Sequence, residues 1–194
     1  MLSYLWQHRS RPPFGSREFF RAWAKRILTF PTLLQFVWRR WQLTRKGASI
    51  AHDACIGEGK FVGRPQNLKV GSRSFIGRAE VMLHGDLEIG ANVCINDGVV
   101  ILTATHDLDD PSWNQIAKPV SIGDFAWIAT HAKILPGVKI GRGAVVGACA
   151  VVSKDVPPGG VAVGNPARIL DKKRAETLDY SPTDFLAFRR AWTA

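Results

Sequence analysis

The residues of this chain that could do chemistry are few and widely spaced. His52, His84, His106 and His131 follow one another at intervals of 32, 22 and 25 residues. No close pair brings three imidazoles onto one metal ion, so a zinc centre is not expected. Cys55, Cys94 and Cys149 are an odd number without a CxxC pair, which argues against a disulfide framework and a thiolate metal site and fits a reducing cytosol. Proton transfer remains. His106 stands in Thr105-His106-Asp107, at the head of a polar stretch that also holds Asp109, Asp110 and Pro111. A neutral imidazole, with a free pKa of about 6.5, can take up and return a proton at neutral pH.

A short internal repeat must position such a residue. Ile122, Ile128, Ile134, Ile140, Val146 and Val152 recur every six residues. Gly123, Ala129, Gly141, Gly147 and Ser153 follow them, Leu135 being the exception, and two places before each aliphatic stands Val120, Ala126, Ala132, Val138, Ala144 or Ala150. A strand and a tight turn every six residues can coil into a triangular prism, with successive coils stacked about 4.8 Å apart. The aliphatic fills the interior, and the small neighbour permits the corner. The predicted fold class is therefore an all-β solenoid, a parallel β-helix of hexapeptide repeats. The crossover rule learned from longer connections does not decide its hand.

Upstream the register recurs in pieces: Ile50, Ile56, Val62 and Leu68; Val70, Ile76 and Met82; Ile89, Ile95 and Ile101. From Ile101 to Ile122 is 21 residues, more than three hexads allow. A loop over residues 103–119 must protrude there, which is where a regular solenoid is expected to carry its site.

At 194 residues, with 46% hydrophobic and 22% charged, the chain suits one globular core with an appendage, and disorder or a collagen-like polymer is excluded. The net charge of +10 is concentrated: residues 1–47 hold ten Lys/Arg against Glu18 alone, together with ten of the nineteen aromatics. Three segments follow: a basic, aromatic, helical extension at 1–47, the solenoid at 48–170, and a tail with a short helix at 171–194. Ser16 is placed to cap a helix carrying Phe19, Phe20, Trp23, Ile27 and Phe30, and Pro31 begins or kinks a second helix through Trp41. Ser181-Pro182-Thr183-Asp184 reads as an N-cap, a first-turn proline and an acid, with Phe185, Phe188 and Trp192 on one helix face. No apolar run reaches the roughly 18 residues that cross a bilayer. Nothing at the N-terminus resembles a signal peptide, so the head is expected to stay on the mature protein.

Several linked segments then resemble one family. They are Lys118-Pro119-Val120, Ala126-Trp127-Ile128-Ala129-Thr130-His131, Ile134-Leu135-Pro136-Gly137-Val138, Val152-Ser153-Lys154-Asp155-Val156-Pro157-Pro158 and Gly164-Asn165-Pro166-Ala167-Arg168. In this order they resemble the hexapeptide-repeat acyltransferases, within them the galactoside, maltose and colanic-acid-type O-acetyltransferases, over roughly residues 50–170. The resemblance implies a left-handed β-helix, a homotrimer, and acetyl-CoA lying in the cleft between adjacent subunits, with no metal.

It also implies site residues. His106 occupies the place of the family's catalytic histidine, a general base that takes the proton of a sugar hydroxyl while that oxygen attacks the thioester carbonyl, without an acyl-enzyme. The backbone N–H of Thr130 would hold the developing oxyanion. Thr130 and Ala148 would line the pantetheine path, Ser153 and Lys154 would meet it further along, and Arg168 would take phosphate. Trp127 is counted with these contacts, its alternative being to cover a corner. The sequence departs from the family in two places. Asp171 stands where a further basic residue is common, so that Lys172 or Lys173 must substitute. Phe75-Ile76-Gly77-Arg78 lacks the Asn of galactoside-type members, which points away from a simple galactoside or maltose acceptor. Asn96, Asp97 and His84, with Arg78 and Glu80, are the acceptor-side candidates; Asn96-Asp97 reads equally well as an ordinary turn.

The implied activity is acetyl-CoA-dependent O-acetylation of a saccharide hydroxyl in the cytoplasm, on a surface-polysaccharide or lipid-linked sugar intermediate. Three alternatives stand beside it: N-acetylation of an amino sugar, a serine-type acetyltransferase whose helical N-domain is usually longer than this head, and a non-catalytic membrane scaffold. For residues 1–47 a peripheral contact with the inner face of the membrane is favoured, because helices with Trp/Phe on one side and Arg/Lys on the other settle at the headgroup boundary. The alternative is that Phe19, Trp23, Ile27 and Phe30 cap the first coil. Nucleic acid is not expected, since no binding motif accompanies the charge.

Overall fold

The computed structural model describes residues 1–193. Short strands stack in parallel on three faces. The first face holds Ser49–Ile50, Leu68–Val70, Leu87–Ile89, Val120–Ile122 and Lys139–Ile140; the second holds Cys55–Ile56, Phe75–Ile76, Cys94–Ile95, Trp127–Ile128, Val145–Val146 and Gly160–Val163; the third holds Lys60–Gly63, Glu80–Leu83, Val100–Leu102, Lys133–Ile134 and Val151–Val152. Register sets aliphatic upon aliphatic. Along the second face Ile56, Ile76, Ile95, Ile128, Val146 and Ala162 form one fully buried column. The six repeat aliphatics from Ile122 to Val152 and the small residues two places before them are all buried, as the period of six requires.

Two expectations are corrected. On the third face the interior column is Phe61, Val81, Ile101, Ile134 and Val152, not Val62 and Met82. The strands Lys60–Gly63 and Glu80–Leu83 are four residues long, and a shift of one residue turns every side chain to the other side of a strand. The corners also divide their labour between two positions. The small residue after the aliphatic clears the next coil: a Cβ on Gly141 would lie 2.4 Å from the Pro158 nitrogen. The left-handed backbone falls two residues later, at Arg73, Asn92, Phe125, His131 and Cys149, with φ of 56–60°. The turns at Phe125, His131 and Cys149 close by a bond like that from the Ala132 N–H to the Ala129 carbonyl at 3.2 Å, a type II arrangement.

Three helices flank the prism: α1 (Leu2–Gln7), α2 (Arg17–Arg45) and α3 (Ala187–Thr193). Ser16 caps α2 as expected, its Oγ accepting from the Phe19 N–H at 3.1 Å. Pro31 does not divide the helix. It deprives the Ile27 carbonyl of its donor, but Ile27 and Pro31 lie on an exposed side where solvent can serve that group. At the other end Pro182–Phe185 forms a 3-10 turn before α3, the Ser181 hydroxyl engages Thr183 Oγ1 at 2.8 Å instead of capping, and Phe185 is exposed while Phe188 and Trp192 are buried.

Leu5, Leu33, Phe36, Phe188 and Trp192 build a second small core against Cys55 and Phe75 of the second face. Arg26 is buried within the head; its Nε donates to the Ala191 carbonyl at 3.1 Å and its Nη2 to the Ser10 carbonyl at 2.7 Å. It thereby pins α3 and the segment before α2 onto that helix. Contact with the solenoid is made by Phe36 and Leu43, so the capping role considered for Ile27 and Phe30 fails: both are exposed. Burial pushes the Cys55 thiol up to about 12 and the Cys94 thiol up to about 11, so neither supplies a thiolate near neutral pH.

Substituting Gly141→Ala places a methyl 2.4 Å from the Pro158 nitrogen and 2.7 Å from the Pro157 carbonyl carbon, backbone atoms that cannot rotate away. The expected loss is about 1–3 kcal/mol, read as a lower midpoint in urea or thermal unfolding with native circular dichroism unchanged. A variant as stable as the parent would show that the coils part freely at this corner.

Candidate active site

The corner between the third and first faces carries the expected loop. It is a hairpin: Ala104–His106 pairs antiparallel with Gln115–Ala117, setting His106 opposite Gln115. Its base is tied to the preceding coil by Thr103, whose buried Oγ1 accepts from the Gly85 N–H at 2.8 Å. His84 is at this same corner one coil earlier, exposed, and Ser153 and Lys154 occupy it further along.

At the hairpin tip the Asp110 carboxylate accepts from the Ser112 N–H at 2.8 Å, the Asn114 N–H at 3.1 Å and the Asn114 Nδ2 at 2.9 Å. Those bonds, the Ser112 N–H first, hold its carboxyl below the usual range. The turn so made puts Trp113 at φ 53°. Its carbonyl lies 2.7 Å from His106 Nδ1, and its ring stacks on the imidazole with centroids 4.8 Å apart and planes 11° from parallel. A carbonyl can only accept, so Nδ1 carries the hydrogen, and in the neutral ring the lone pair is left on Nε2. Trp113 escaped the sequence reading because its contribution is a backbone carbonyl, which has no residue signature. Asp110 was visible only as part of a polar loop.

The corner between the second and third faces gathers a different set. Arg78, Asn96, Asp97, Gly98, Thr130 and His131 line one groove with Phe75. Asp97 accepts from the Arg78 N–H at 2.8 Å and from Arg78 Nε at 3.2 Å; the backbone bond foremost keeps its carboxyl low. Asn96 Oδ1 accepts from Trp127 Nε1 at 3.0 Å, which joins Trp127 to this corner. A Cβ on Gly98, whose φ is 73°, would lie 2.2 Å from His131 Nδ1, so the glycine lets that ring rest on the backbone. The Thr130 carbonyl accepts from the Cys149 N–H at 3.0 Å, while the Thr130 N–H has no partner among the described residues. Ala148 is exposed beside Cys149.

Ser153, Lys154 and Arg168 meet in a further groove with Pro166 and Ile169. Arg168 opens the exposed strand Arg168–Lys173, antiparallel to Gly160–Val163, which also carries Asp171, Lys172 and Lys173. Beside Lys154, the Asp155 carboxylate is taken up by the Lys139 N–H at 2.8 Å. Glu80 is engaged with Lys60 Nζ at 3.4 Å. Within one chain, then, Asn96, Asp97, Thr130 and Trp127 are brought together, as are Ser153, Lys154 and Arg168. His84 and His106 share the loop corner, and the whole third face separates them from Thr130. No group of three or more metal-ligating side chains lies together among the described residues.

Residues 119–154 match the family model described as bacterial transferase hexapeptide (six repeats). The chain is 33% identical over 158 residues to the putative colanic acid biosynthesis acetyltransferase WcaF of Escherichia coli K12, a match covering 80% of this chain and 82% of that protein. Identity to a putative acetyltransferase of Schizosaccharomyces pombe is 45% over 89 residues, 44% of this chain and 43% of the length of that relative. Among solved structures, a hexapeptide-repeat acetyltransferase of Vibrio cholerae in complex with acetyl coenzyme A superposes with a TM-score of 0.66 at 27% identity, covering 86% of this chain and 94% of that one. A maltose O-acetyltransferase of Clostridium difficile gives 0.63 at 30% identity, covering 89% of each chain. The chain thus belongs to the hexapeptide-repeat acetyltransferases, an acyltransferase with their left-handed β-helix and with acetyl-CoA as its co-substrate.

Proposed function

We propose that the protein transfers the acetyl group of acetyl-CoA to a hydroxyl of a saccharide, a surface-polysaccharide or lipid-linked intermediate, with His106 as general base. The observation that carries this is the 2.7 Å contact between His106 Nδ1 and the Trp113 carbonyl, which leaves the Nε2 lone pair to receive a proton. The acceptor hydroxyl gives its proton to Nε2 as its oxygen bonds to the thioester carbonyl carbon. The oxyanion so formed is held by the unengaged Thr130 N–H. The carbon–sulfur bond then breaks, and the CoA sulfur takes the proton back from the imidazolium. Trp127, Thr130, Ala148, Ser153 and Lys154 are assigned to the CoA path and Arg168 to its phosphates; Asn96, Asp97 and His84 are assigned to the acceptor. The saccharide class rests on the colanic acid and maltose relatives.

A homotrimer is part of this proposal. His106 and Thr130 stand on different corners of one prism, and a heterologous ring lays one copy's loop corner against the next copy's Thr130 corner. The proposed place of action is the cytoplasm, at the inner face of the membrane, with residues 1–47 as the contact. An acceptor screen scored by CoA-thiol release, across free sugars, nucleotide sugars and lipid-linked oligosaccharides, tests the reaction directly.

Replacing His106→Ala is expected to lower turnover about 10²–10⁴-fold with acetyl-CoA binding retained; near-normal turnover would remove His106 from the chemistry. Thr130→Pro deletes one N–H at a turn position that the chain already fills with proline at the next corner, Pro136 before Gly137. It should cost about 10²–10³-fold in turnover without loss of stability. Co-expressing these two inactive variants should restore roughly a quarter of the wild-type rate, because each heterologous interface then has that chance of pairing an intact His106 with an intact Thr130. Absence of any recovery would place both groups within a single chain.

Arg168→Ala is expected to raise the Michaelis constant for acetyl-CoA about tenfold, the worth of one charge-assisted phosphate contact, with that for the acceptor unchanged. Equal constants in variant and parent would assign Arg168 to structure.

A further inference from the structure

Helix α2 has two apolar faces, and only one is covered. Leu33 and Phe36 enter the second core. On the other side Phe20, Ile27, Leu34 and Trp41 recur every seven residues, with Trp38 between the last two, a spacing that keeps them on one stripe of the helix. All five are exposed, Phe20 by 64%, Ile27 by 67% and Trp38 by 55%. Leu28 and Phe30, also exposed, widen the stripe. From Phe20 to Trp41 it extends about 32 Å at 1.5 Å per residue. A row of large exposed apolar side chains on one helix face marks an interaction surface.

We propose that this outward face of α2 docks on an anionic phospholipid bilayer, the helix lying in the plane of the headgroups with the stripe toward the acyl chains. The proposal rests on the membrane-side reading of residues 1–47 and names the surface that would carry it. Charge selects the occupant. Arg17 stands one turn before Phe20 at the edge of the stripe, and exposed Arg45 stands one turn after Trp41 within it, its guanidinium over the Trp41 ring. Arg11, Arg21, Lys25 and Arg190 lie instead in a depression on the α3 side of the helix, away from the stripe. A second copy offering this face would bring the same cations against themselves, whereas lipid phosphate neutralises them, at about 1 kcal/mol per basic residue near the surface. No described helix is long and apolar enough to cross a membrane. A basic helix with a tryptophan-bearing stripe lies along the interface instead.

The test is flotation of the full-length protein with vesicles of phosphatidylcholine alone or mixed with phosphatidylglycerol, read beside tryptophan fluorescence, since Trp38 and Trp41 would leave water. The parent should float with the mixed vesicles, with a blue-shifted emission, and about tenfold less with the neutral ones or at high salt. The double variant Ile27→Ser, Leu34→Ser alters exposed positions only; it should lose about tenfold in vesicle affinity while its unfolding midpoint and acetyl-CoA binding stay as in the parent. Parent protein remaining in the soluble fraction would overturn both the docking face and the membrane-side reading. A double variant that floats like the parent would overturn this face while leaving another part of the head as the contact. A double variant that sediments as a smaller assembly, its vesicle affinity unchanged, would show that a copy of the chain covers the stripe. Retained acetyl-CoA binding keeps each failure separate from the acetyl-transfer proposal.

Discussion

Everything in this molecule hangs on the closeness with which one coil lies on the next. At the corners the approach is so tight that a single added carbon on Gly141 would sit inside the backbone of Pro157 and Pro158. Register is then fixed throughout: a coil cannot slide without driving its corner into its neighbour, nor turn a strand over without moving an aliphatic out of the interior column. The faces are consequently committed to stacking. Chemistry is left to what projects from the corners, and the corners are where the candidate residues of the site are found, apart from Glu80, Trp127 and those on the strand Arg168–Lys173.

The constraint also explains what could be read from residues alone. Between Val120 and Val152 two positions in every six must be apolar or small, and the pattern is unmistakable because both coil contacts and interior packing enforce it. Upstream, the four-residue strands Lys60–Gly63 and Glu80–Leu83 absorb an extra residue. A period of six carried through them selects Val62 and Met82 where the structure turns Phe61 and Val81 inward, Val81 fully buried and Phe61 partly. The head obeys tertiary packing more than local propensity. Pro31 signals a helix break, yet α2 runs through it, because Leu33 and Phe36 on the far side of the proline are held in the second core. For the candidate site, His106 was visible from its place in the loop, whereas the Trp113 carbonyl that orients it depends on a turn built by three bonds to Asp110. Such a turn is legible only in three dimensions.

A rigid scaffold with a single projecting hairpin divides the tasks of an acetyltransferase unequally. The groove residues need only be in the right place, and the stacked coils put them there at no further cost in ordering. A base must in addition offer its lone pair in one direction. The hairpin is the one part of the solenoid that is not stacked, so its order has to come from within. Asp110 supplies it by accepting two backbone N–H groups and a side-chain amide, and the imidazole is clamped between the resulting carbonyl and the indole face. The chain thus spends its local polar bonds where the coil cannot help.

The same division recurs at the other end of the molecule. Arg26, buried and bonded to backbone carbonyls from two separate segments, ties α3 and the N-terminal arm to α2, and Phe36 and Leu43 tie α2 to the solenoid. A helix held on one side by two cores cannot rotate to hide its other side. Its stripe from Phe20 to Trp41 is therefore presented outward by the packing itself, in a fixed relation to the corner that carries His106. A surface that meets α2 would also set the distance and angle at which an acceptor anchored in that surface reaches the loop. Were α2 docked in the way proposed, alignment of this kind would serve a lipid-linked sugar more than a freely diffusing one, because only an anchored acceptor shares the plane that the fixed head defines.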